Sequence, residues 1–214
     1  MRQVIVLVEG QTEEELVKNV LAPAAFSRDV HLVPSVVITS ASSAATHRGG
    51  GSWKHYEKRL RHFLANRHLS KVGLLLDYYA YPKDAPGQDL PGGGPDRQRA
   101  LMAALCSQLP DPRFHPLVVL HEIEALVLAA IDAGRGDDLF EPLPLARLRE
   151  QISQAGGPEQ VNDGLLTAPS KRLETADPRY LKTVTGPLLV AEAGLQAVLE
   201  RCPTFSAWWE DLLA

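Results

Sequence analysis

The chain contains only two cysteines among 214 residues, Cys106 and Cys202. They lie far apart and match no metal-binding spacing, which leaves two free thiols packed in helices. Long apolar stretches are also missing. None approaches the roughly 20 residues that a membrane-spanning helix needs, and the apolar start Val4 to Val8 is too short for a signal peptide. We therefore expect a cytoplasmic protein without a membrane partner.

An excess of positive charge is absent as well, since 22 Lys and Arg stand against 26 Asp and Glu, a formal net charge of −4. This balance argues against indiscriminate nucleic-acid binding. The average conceals a basic stretch between His47 and His68 that contains a single acid, Glu57. Its positive residues are Arg48, Lys54, Lys58, Arg59, Arg61 and Arg67. This uneven charge is compatible with an acidic metal site beside a basic groove for a nucleic-acid backbone.

Apolar segments alternate with helical patterns in the first part of the chain. The segments are Val4 to Val8, Val30 to Thr39, Lys71 to Asp77 and Phe114 to Leu120. Continuous apolar runs rich in β-branched residues are typical of strands buried on both faces of a parallel sheet. Between them, Ser40 to Ser52 is predicted as a polar loop, and Trp53 to Arg67 as an amphipathic helix capped by Ser52. The order predicts an α/β fold with a mostly parallel, Rossmann-like sheet flanked by helices.

After Gly134 the patterns are helical only. Helices are predicted over Leu145 to Ala155, near Pro158, over Pro187 to Cys202 and over Phe205 to Leu213. The polar stretch Asn162 to Lys182 is predicted as a connection between them. We therefore expect an α/β core over residues 1–134 and a C-terminal helical extension over residues 135–214 that packs on it.

Acidic residues follow three of the four predicted strands: Glu9 after the first, Asp77 at the end of the third, and Glu122 with Glu124 after the fourth. Glu13, one helical turn beyond Glu9, adds a fifth carboxylate. Ligands gather at the carboxyl ends of strands in open parallel sheets, so these acids are expected to converge. Mg²⁺ and Mn²⁺ prefer such oxygen ligands, and two ions about 4 Å apart can activate a water and stabilise a leaving oxygen. All five are candidate metal ligands, and Glu9 and Asp77 are candidate catalytic residues.

A structural role is the alternative, because acids just after a strand often cap helices. Glu13, Glu14 and Glu15 stand in the first turn of the first predicted helix, where negative charge favours the helix dipole. Capping and metal binding both stay open for Glu13. Glu9 favours function, since it ends an apolar strand and precedes Gly10, where a backbone can approach a ligand closely.

Short motifs resemble those of a known family. Val8-Glu9-Gly10-Gln11-Thr12-Glu13 resembles the V-E-G-x-T-E opening of Toprim domains, and Leu76-Asp77 followed by Tyr78-Tyr79 resembles their D-x-D strand end. Nearly the whole chain is similar to the Toprim-like family catalogued as domain of unknown function 4276. Further matching segments are Arg48-Gly49-Gly50-Gly51-Ser52-Trp53, His121-Glu122-Ile123-Glu124-Ala125-Leu126 and Pro169-Ser170-Lys171-Arg172. The resemblance implies a Toprim-like fold and magnesium-dependent phosphoryl transfer.

The resemblance also implies roles for particular residues. In the overcoming-lysogenization-defect nucleases, which carry a Toprim domain, a Glu and an acid four residues later bind metal, and Glu9 and Glu13 match these positions. The family pattern implies that Lys171 is catalytic and neutralises charge on the scissile phosphate. An ordinary exposed lysine is the alternative, and Lys182 is a second candidate for the same role.

One position departs from the family pattern. Tyr79 stands where Toprim domains usually carry a second acid, and a phenol with a reference pKa of about 10 cannot replace a carboxylate ligand. Either Glu122 or Glu124 supplies the missing charge, or the site binds one metal ion weakly.

The loop before the amphipathic helix and the helix itself are candidate phosphate contacts. A glycine-rich loop that opens a helix offers backbone amides and a dipole to an anion, although P-loop spacing is absent. A flexible linker before an exposed basic helix is the alternative. The candidate nucleic-acid or phosphate contacts are Arg48, Gly50, Gly51, Ser52, Lys54, Lys58, Arg61 and Lys182.

These features predict a Mg²⁺- or Mn²⁺-dependent nuclease, with DNA favoured as its substrate and RNA left open as the alternative. The resemblance implies a separately encoded ATPase as partner in defence against phage. A catalytically inactive Toprim-like interaction or regulatory subunit is the first alternative, and Tyr79 is its main support. A second alternative takes Asp77 as a phospho-accepting aspartate, but the acid that such phosphatases carry two residues later is missing.

Overall fold

The computed structural model describes residues 1–42, 45–48, 51–120, 122–162 and 167–214. The strands in these ranges are β1 (Arg2–Val8), β2 (Val30–Val36), β3 (Ile38–Ser42), β4 (Ala45–Arg48), β5 (Leu69–Asp77) and β6 (Phe114–Val119). Four of them form one parallel sheet in the order β2-β1-β5-β6. The predicted α/β fold with a Rossmann-like sheet flanked by helices is confirmed.

Helices surround this sheet and make up the C-terminal part of the chain. They are α1 (Gln11–Leu16), α2 (Ala22–Phe26), α3 (Trp53–Ala65), α4 (Gly94–Gln108), α5 (Ala125–Asp132), α6 (Pro142–Ala155), α7 (Pro169–Ala176), α8 (Thr185–Ala193), α9 (Leu195–Leu199) and α10 (Pro203–Leu213). A π-helical segment, Val17–Leu21, joins α1 to α2, and Pro158–Gln160 forms a 3₁₀ turn. None of the helices in the described ranges is long and apolar enough to cross a membrane.

The positions of two prolines explain which strands lie at the edges of the sheet. Pro34 lies in β2 and pairs with Val6, and Pro116 lies in β6 and pairs with Leu74. Proline has no backbone N–H to donate, so within a sheet it is confined mainly to edge strands. The central strands β1 and β5 contain no proline and are buried over most of their length.

Alternate residues of the strands face two separate hydrophobic cores, as the period of two in a strand requires. On one face, Leu74 and Leu76 of β5 pack with buried residues of α3 and α4. On the other face, Leu75 packs with α5 and the C-terminal helices. Gly73 allows α10 to approach that second face, because an added Cβ would lie 3.1 Å from Val6 and 3.2 Å from Leu212.

Three sequence predictions need correction. The second strand ends at Val36, and the predicted loop that follows contains the antiparallel hairpin β3–β4. The polar connection between Asn162 and Lys182 contains helix α7. The single helix predicted over Pro187 to Cys202 is two helices, because Gly194 adopts φ +81° and ends α8. A positive φ is readily available to glycine and stops the helical hydrogen-bond pattern.

Candidate active site

The predicted acids lie at one edge of the sheet. Glu9 directly follows β1, Asp77 is the last residue of β5, and Glu122 and Glu124 lie in the turn that leads from β6 into α5. Since β1, β5 and β6 are parallel neighbours, their carboxyl ends meet at the same edge. Glu13, in the first turn of α1, lies beside them. The strand ends that carry the predicted acids therefore share one edge of the sheet.

Backbone amides within the first 134 residues hold two of these carboxylates in place. The Glu13 Oε2 atom accepts from the Gly10 amide at 2.9 Å, and the Asp77 Oδ1 atom accepts from the Ile123 amide at 3.1 Å. The first bond belongs to a capping box at the start of α1. Glu13 thus has the capping role that the sequence left open, while its carboxylate also belongs to the acidic cluster.

The C-terminal part of the chain supplies contacts to Glu122 and Glu124. The Glu122 Oε2 atom accepts from the Ser170 amide, in the first turn of α7, at 2.9 Å. The Lys182 ammonium lies 3.6 Å from the Glu124 Oε1 atom. Glu124 is 3% exposed. The extension therefore contributes directly to the site, which draws on residues on both sides of Gly134.

Burial and mutual repulsion make these carboxyls unusual acids. Burial raises the pKa of Asp77 well above its ordinary range, and the charges of Glu13 and Glu124 raise it further. Burial raises the pKa of Glu124 to about 7 although Lys182 opposes the shift, and it also raises the pKa of Glu13. Negative charges crowded together in a desolvated place favour the protonated form. The cluster therefore favours uptake of positive charge, either as protons or as a cation.

The side chains do not yet form a complete ion site. Across the described ranges, no three His, Cys, Asp or Glu side chains form a group that could hold a metal ion. The chemistry of the donors nevertheless suits a hard divalent cation, because every acid in the cluster offers carboxylate oxygens. Binding such an ion would require these side chains to move.

One family model matches nearly the whole chain. A family model described as a domain of unknown function (DUF4276) matches residues 8–213. The chain belongs to this family. No curated protein and no solved structure matches it.

Three buried hydroxyl groups of this DUF4276 protein were not predicted as part of the site. Tyr56 of α3 lies within electrostatic reach of Glu9, Glu13 and Asp77. Tyr180 is similarly close to Glu122 and Glu124, and Ser170 donates its backbone amide to Glu122. Tyrosines at helical spacing among apolar residues look like ordinary core residues. Sequence reasoning alone had no signal for placing them beside acids remote in the chain.

Several predicted phosphate contacts lie at the start of α3, where Asp84 is the main partner. The Asp84 carboxylate accepts from the Trp53 amide at 2.7 Å and from the Ser52 hydroxyl. Ser52 also caps the helix by accepting from the Lys54 amide at 3.3 Å. A carboxylate thus occupies the helix N-terminus at which a phosphate was expected. Gly51 is half-buried beside it, Arg48 ends β4, and Gly50 lies outside the described residues, as does His121.

The basic residues of α3 lie on its exposed side. Lys54 and Lys58 are exposed, and Arg61 forms an ion pair with Glu57 at 2.7 Å. A groove of about 330 Å³ runs along this side and is lined by Val37, His55, Lys58, Arg59 and His62. The Val37 amide donates to the Val8 carbonyl at 3.0 Å, so the groove begins beside the end of β1, where Glu9 follows.

The two candidate lysines occupy different environments. Lys182 lies within the acidic cluster and is about one-third exposed, with its side chain 37% accessible. Lys171 lies on the outer side of α7 and pairs with Glu174 at 2.7 Å. Lys171 also lines a cleft of about 300 Å³ together with Arg147 and Arg172. Lys182 is therefore the closer of the two to the carboxylates.

Proposed function

We propose that this DUF4276 protein is a Mg²⁺- or Mn²⁺-dependent nuclease of the Toprim type that hydrolyses phosphodiester bonds, in DNA rather than RNA. One observation carries the proposal: five carboxylates from separate parts of the chain gather at the carboxyl edge of the sheet, where burial and repulsion raise the pKa of three of them. A structural core has no need of such a cluster, because burying like charges together is destabilising.

A divalent cation fits the donors of this cluster. The carboxylates that would hold it are those of Glu9, Glu13, Asp77, Glu122 and Glu124. A bound cation of this kind lowers the pKa of water and stabilises the oxygen that leaves phosphorus. It would also relieve the repulsion among the carboxylates.

Positive side chains of the protein could stabilise the negative charge of the phosphates. Lys182 lies beside Glu124 and is partly open to solvent, which supports a role for its ammonium in neutralising charge that develops on a phosphoryl group. Lys171 stands at the rim of the site and is the second candidate for this role. The exposed cations Lys54, Lys58 and Arg61 would bind backbone phosphates that flank the scissile bond.

The decisive experiment measures cation binding and cleavage in the same set of variants. Glu9→Gln and Asp77→Asn remove a negative charge and nearly preserve side-chain shape. Each should abolish calorimetric Mn²⁺ binding and slow Mg²⁺-dependent cleavage of plasmid DNA by about 100-fold or more, corresponding to about 3 kcal/mol of lost transition-state stabilisation.

Glu15→Gln is the matched control, because Glu15 lies on α1 as Glu13 does but bonds to Asn19 and is 38% accessible. This variant should bind Mn²⁺ and cleave DNA as wild type does. Absence of Mn²⁺ binding by the wild-type protein, together with absence of DNA and RNA cleavage with or without a co-encoded ATPase, would refute the nuclease proposal.

The presence of Tyr79 favours a second candidate function, a catalytically inactive interaction or regulatory subunit. Tyr79 is partly buried just after β5 and packs edge-on against Tyr78, with ring centroids 6.2 Å apart. A neutral phenol at this point supplies no charge to a second cation. On this alternative, Glu9→Gln would change neither cation binding nor any activity of a partner complex.

The cellular setting belongs to the same proposal. We place the protein in the cytoplasm with a separately encoded ATPase as its partner, in a system that defends against phage. The support is the resemblance of its motifs to Toprim nucleases. Copurification of the ATPase with the tagged full-length chain, and loss of phage resistance on Glu9→Gln, would test this setting.

A further inference from the structure

Three buried hydroxyl groups around the carboxylates have no hydrogen-bond partner in the described part of the chain. They belong to Tyr56, Ser170 and Tyr180, which are 0%, 1% and 6% exposed. Folded proteins leave few buried polar groups unpaired, since an unpaired buried hydroxyl is destabilising. Their concentration around one acidic cluster indicates that something else completes their hydrogen bonding.

Tyr56 is the best defined of the three. Its helix α3 packs against β5 and β1, and its ring stacks on Trp53 with centroids 6.1 Å apart. Asp84 fixes the start of the same helix through the Trp53 amide. The phenol therefore has little freedom to seek another partner. A phenylalanine would fill the same space without leaving an oxygen unpaired.

The chemistry around Tyr56 limits what its partner can be. Burial and the charges of Glu9, Glu13 and Asp77 raise the pKa of the phenol, so it stays a neutral hydrogen-bond donor. An acceptor oxygen that comes from a ligand would have to enter a place surrounded by carboxylates. A free anion would be repelled there, whereas an oxygen of a phosphodiester can enter together with a divalent cation.

We propose that, when side chains of the cluster move to admit a cation and the nucleic acid, the buried Tyr56 hydroxyl donates a hydrogen bond to a non-bridging phosphoryl oxygen and so positions the scissile phosphate against the carboxylates. This inference rests on the proposed nuclease function. It assigns Tyr56 to substrate binding, distinct from cation binding by the acids.

The test compares Tyr56→Phe with Tyr81→Phe. Tyr81 is also buried in the core on this face of the sheet, but its hydroxyl donates to the Pro86 carbonyl at 2.6 Å. Removing a paired hydroxyl should lower the Tm of Tyr81→Phe by about 2–4 °C. Tyr56→Phe loses no bond within the protein, so its Tm should equal or exceed that of wild type.

DNA affinity should rank the two variants in the opposite order to Tm, with Tyr56→Phe the more impaired. In Ca²⁺, used to form the complex without rapid cleavage, Tyr56→Phe should bind a short fluorescein-labelled DNA about 10-fold more weakly than wild type, the loss expected for one hydrogen bond to a charged oxygen. Its Mn²⁺ affinity without DNA should match wild type. Tyr81→Phe should bind DNA normally.

Four results would overturn the assignment. A Tm decrease in Tyr56→Phe with unchanged DNA affinity would make the hydroxyl structural. If Tyr56→Phe lost as much Mn²⁺ affinity in the absence of DNA as it loses DNA affinity, the hydroxyl would instead bind water around the ion. Normal DNA binding and cleavage by Tyr56→Phe, while Glu9→Gln loses both, would reject this inference alone. Failure of wild type to bind either Mn²⁺ or DNA would reject the proposed function and this inference together.

Discussion

Glu124→Gln should stabilise the metal-free protein at pH 8 and have little effect near pH 4. The Glu124 carboxyl is 3% exposed, and burial raises its pKa from 4.5 to about 7. Between these values the folded protein holds a proton that the unfolded chain releases. Stability therefore falls as pH rises through this window, and above pH 7 the whole difference opposes folding. Glutamine cannot ionise, so the variant escapes this loss.

The size of the stabilisation by Glu124→Gln follows from the shift in the pKa of Glu124. A difference of one pKa unit corresponds to about 1.4 kcal/mol, so the change from 4.5 to about 7 amounts to about 3 kcal/mol at pH 8. The attraction of Lys182 is already contained in this value, because Lys182 is one of the charges that act on Glu124. A difference of this size is readily measured by denaturant unfolding.

The assay is urea unfolding in EDTA from about pH 4 to pH 8, across the window set by the two pKa values. The stability of wild type should fall with pH more steeply than that of Glu124→Gln. Glu192→Gln in α8 makes the same exchange at an exposed position and should follow wild type. Parallel curves for wild type and Glu124→Gln would refute the claim that this carboxyl is buried among like charges.

Three further predictions concern the cation, the basic surface and a structural acid. Mn²⁺ binding near pH 6 should release protons, seen as different calorimetric heats in buffers of different ionisation enthalpy, because raised-pKa carboxyls must deprotonate to bind. Lys54, Lys58 and Arg61 changed together to Ala should reduce the salt dependence of DNA affinity by about one slope unit per lost phosphate contact. Glu159→Gln should cost about 1–3 kcal/mol of stability and leave Mn²⁺ binding intact, because this carboxylate accepts two backbone amides at the start of α10.

Each of these has a clear contrary outcome. Equal heats in all buffers would show that the bound carboxylates were already ionised. An unchanged salt slope in the triple variant would show that the basic side of α3 faces away from DNA. Impaired Mn²⁺ binding by Glu159→Gln would show that this acid, or the helix that it holds, supports the site.

The four strands of the parallel sheet and the placement of the acids at their ends could be predicted from local sequence. Continuous apolar runs marked β1, β5 and β6, and strand polarity then required Glu9, Asp77 and Glu122 to share an edge. The strand order was not predicted. Proline in β2 and β6 carries that information, since it favours edge positions in a parallel sheet.

What could not be predicted depends on contacts between distant segments. The Ser170 amide donates to Glu122, which lies 48 residues earlier in the sequence. No local sequence pattern predicts such a bond. The polar segment that contains Ser170 looked like a loop, because the short helix α7 has few apolar residues. Asp84 at the start of α3 is a similar case, since its loop gave no sign of which helix it would cap.

The candidate site depends on both the predicted core, residues 1–134, and the predicted extension, residues 135–214. Within the described residues, the core supplies the five carboxylates, and the C-terminal helices supply the Ser170 amide and the Lys182 ammonium that oppose their charge. A chain that ended near Gly134 would keep the repulsion and lose both contacts. It would also lose α10, which packs against β5 and β6. The C-terminal helices therefore both cover the sheet and make a concentrated negative charge tolerable at its edge.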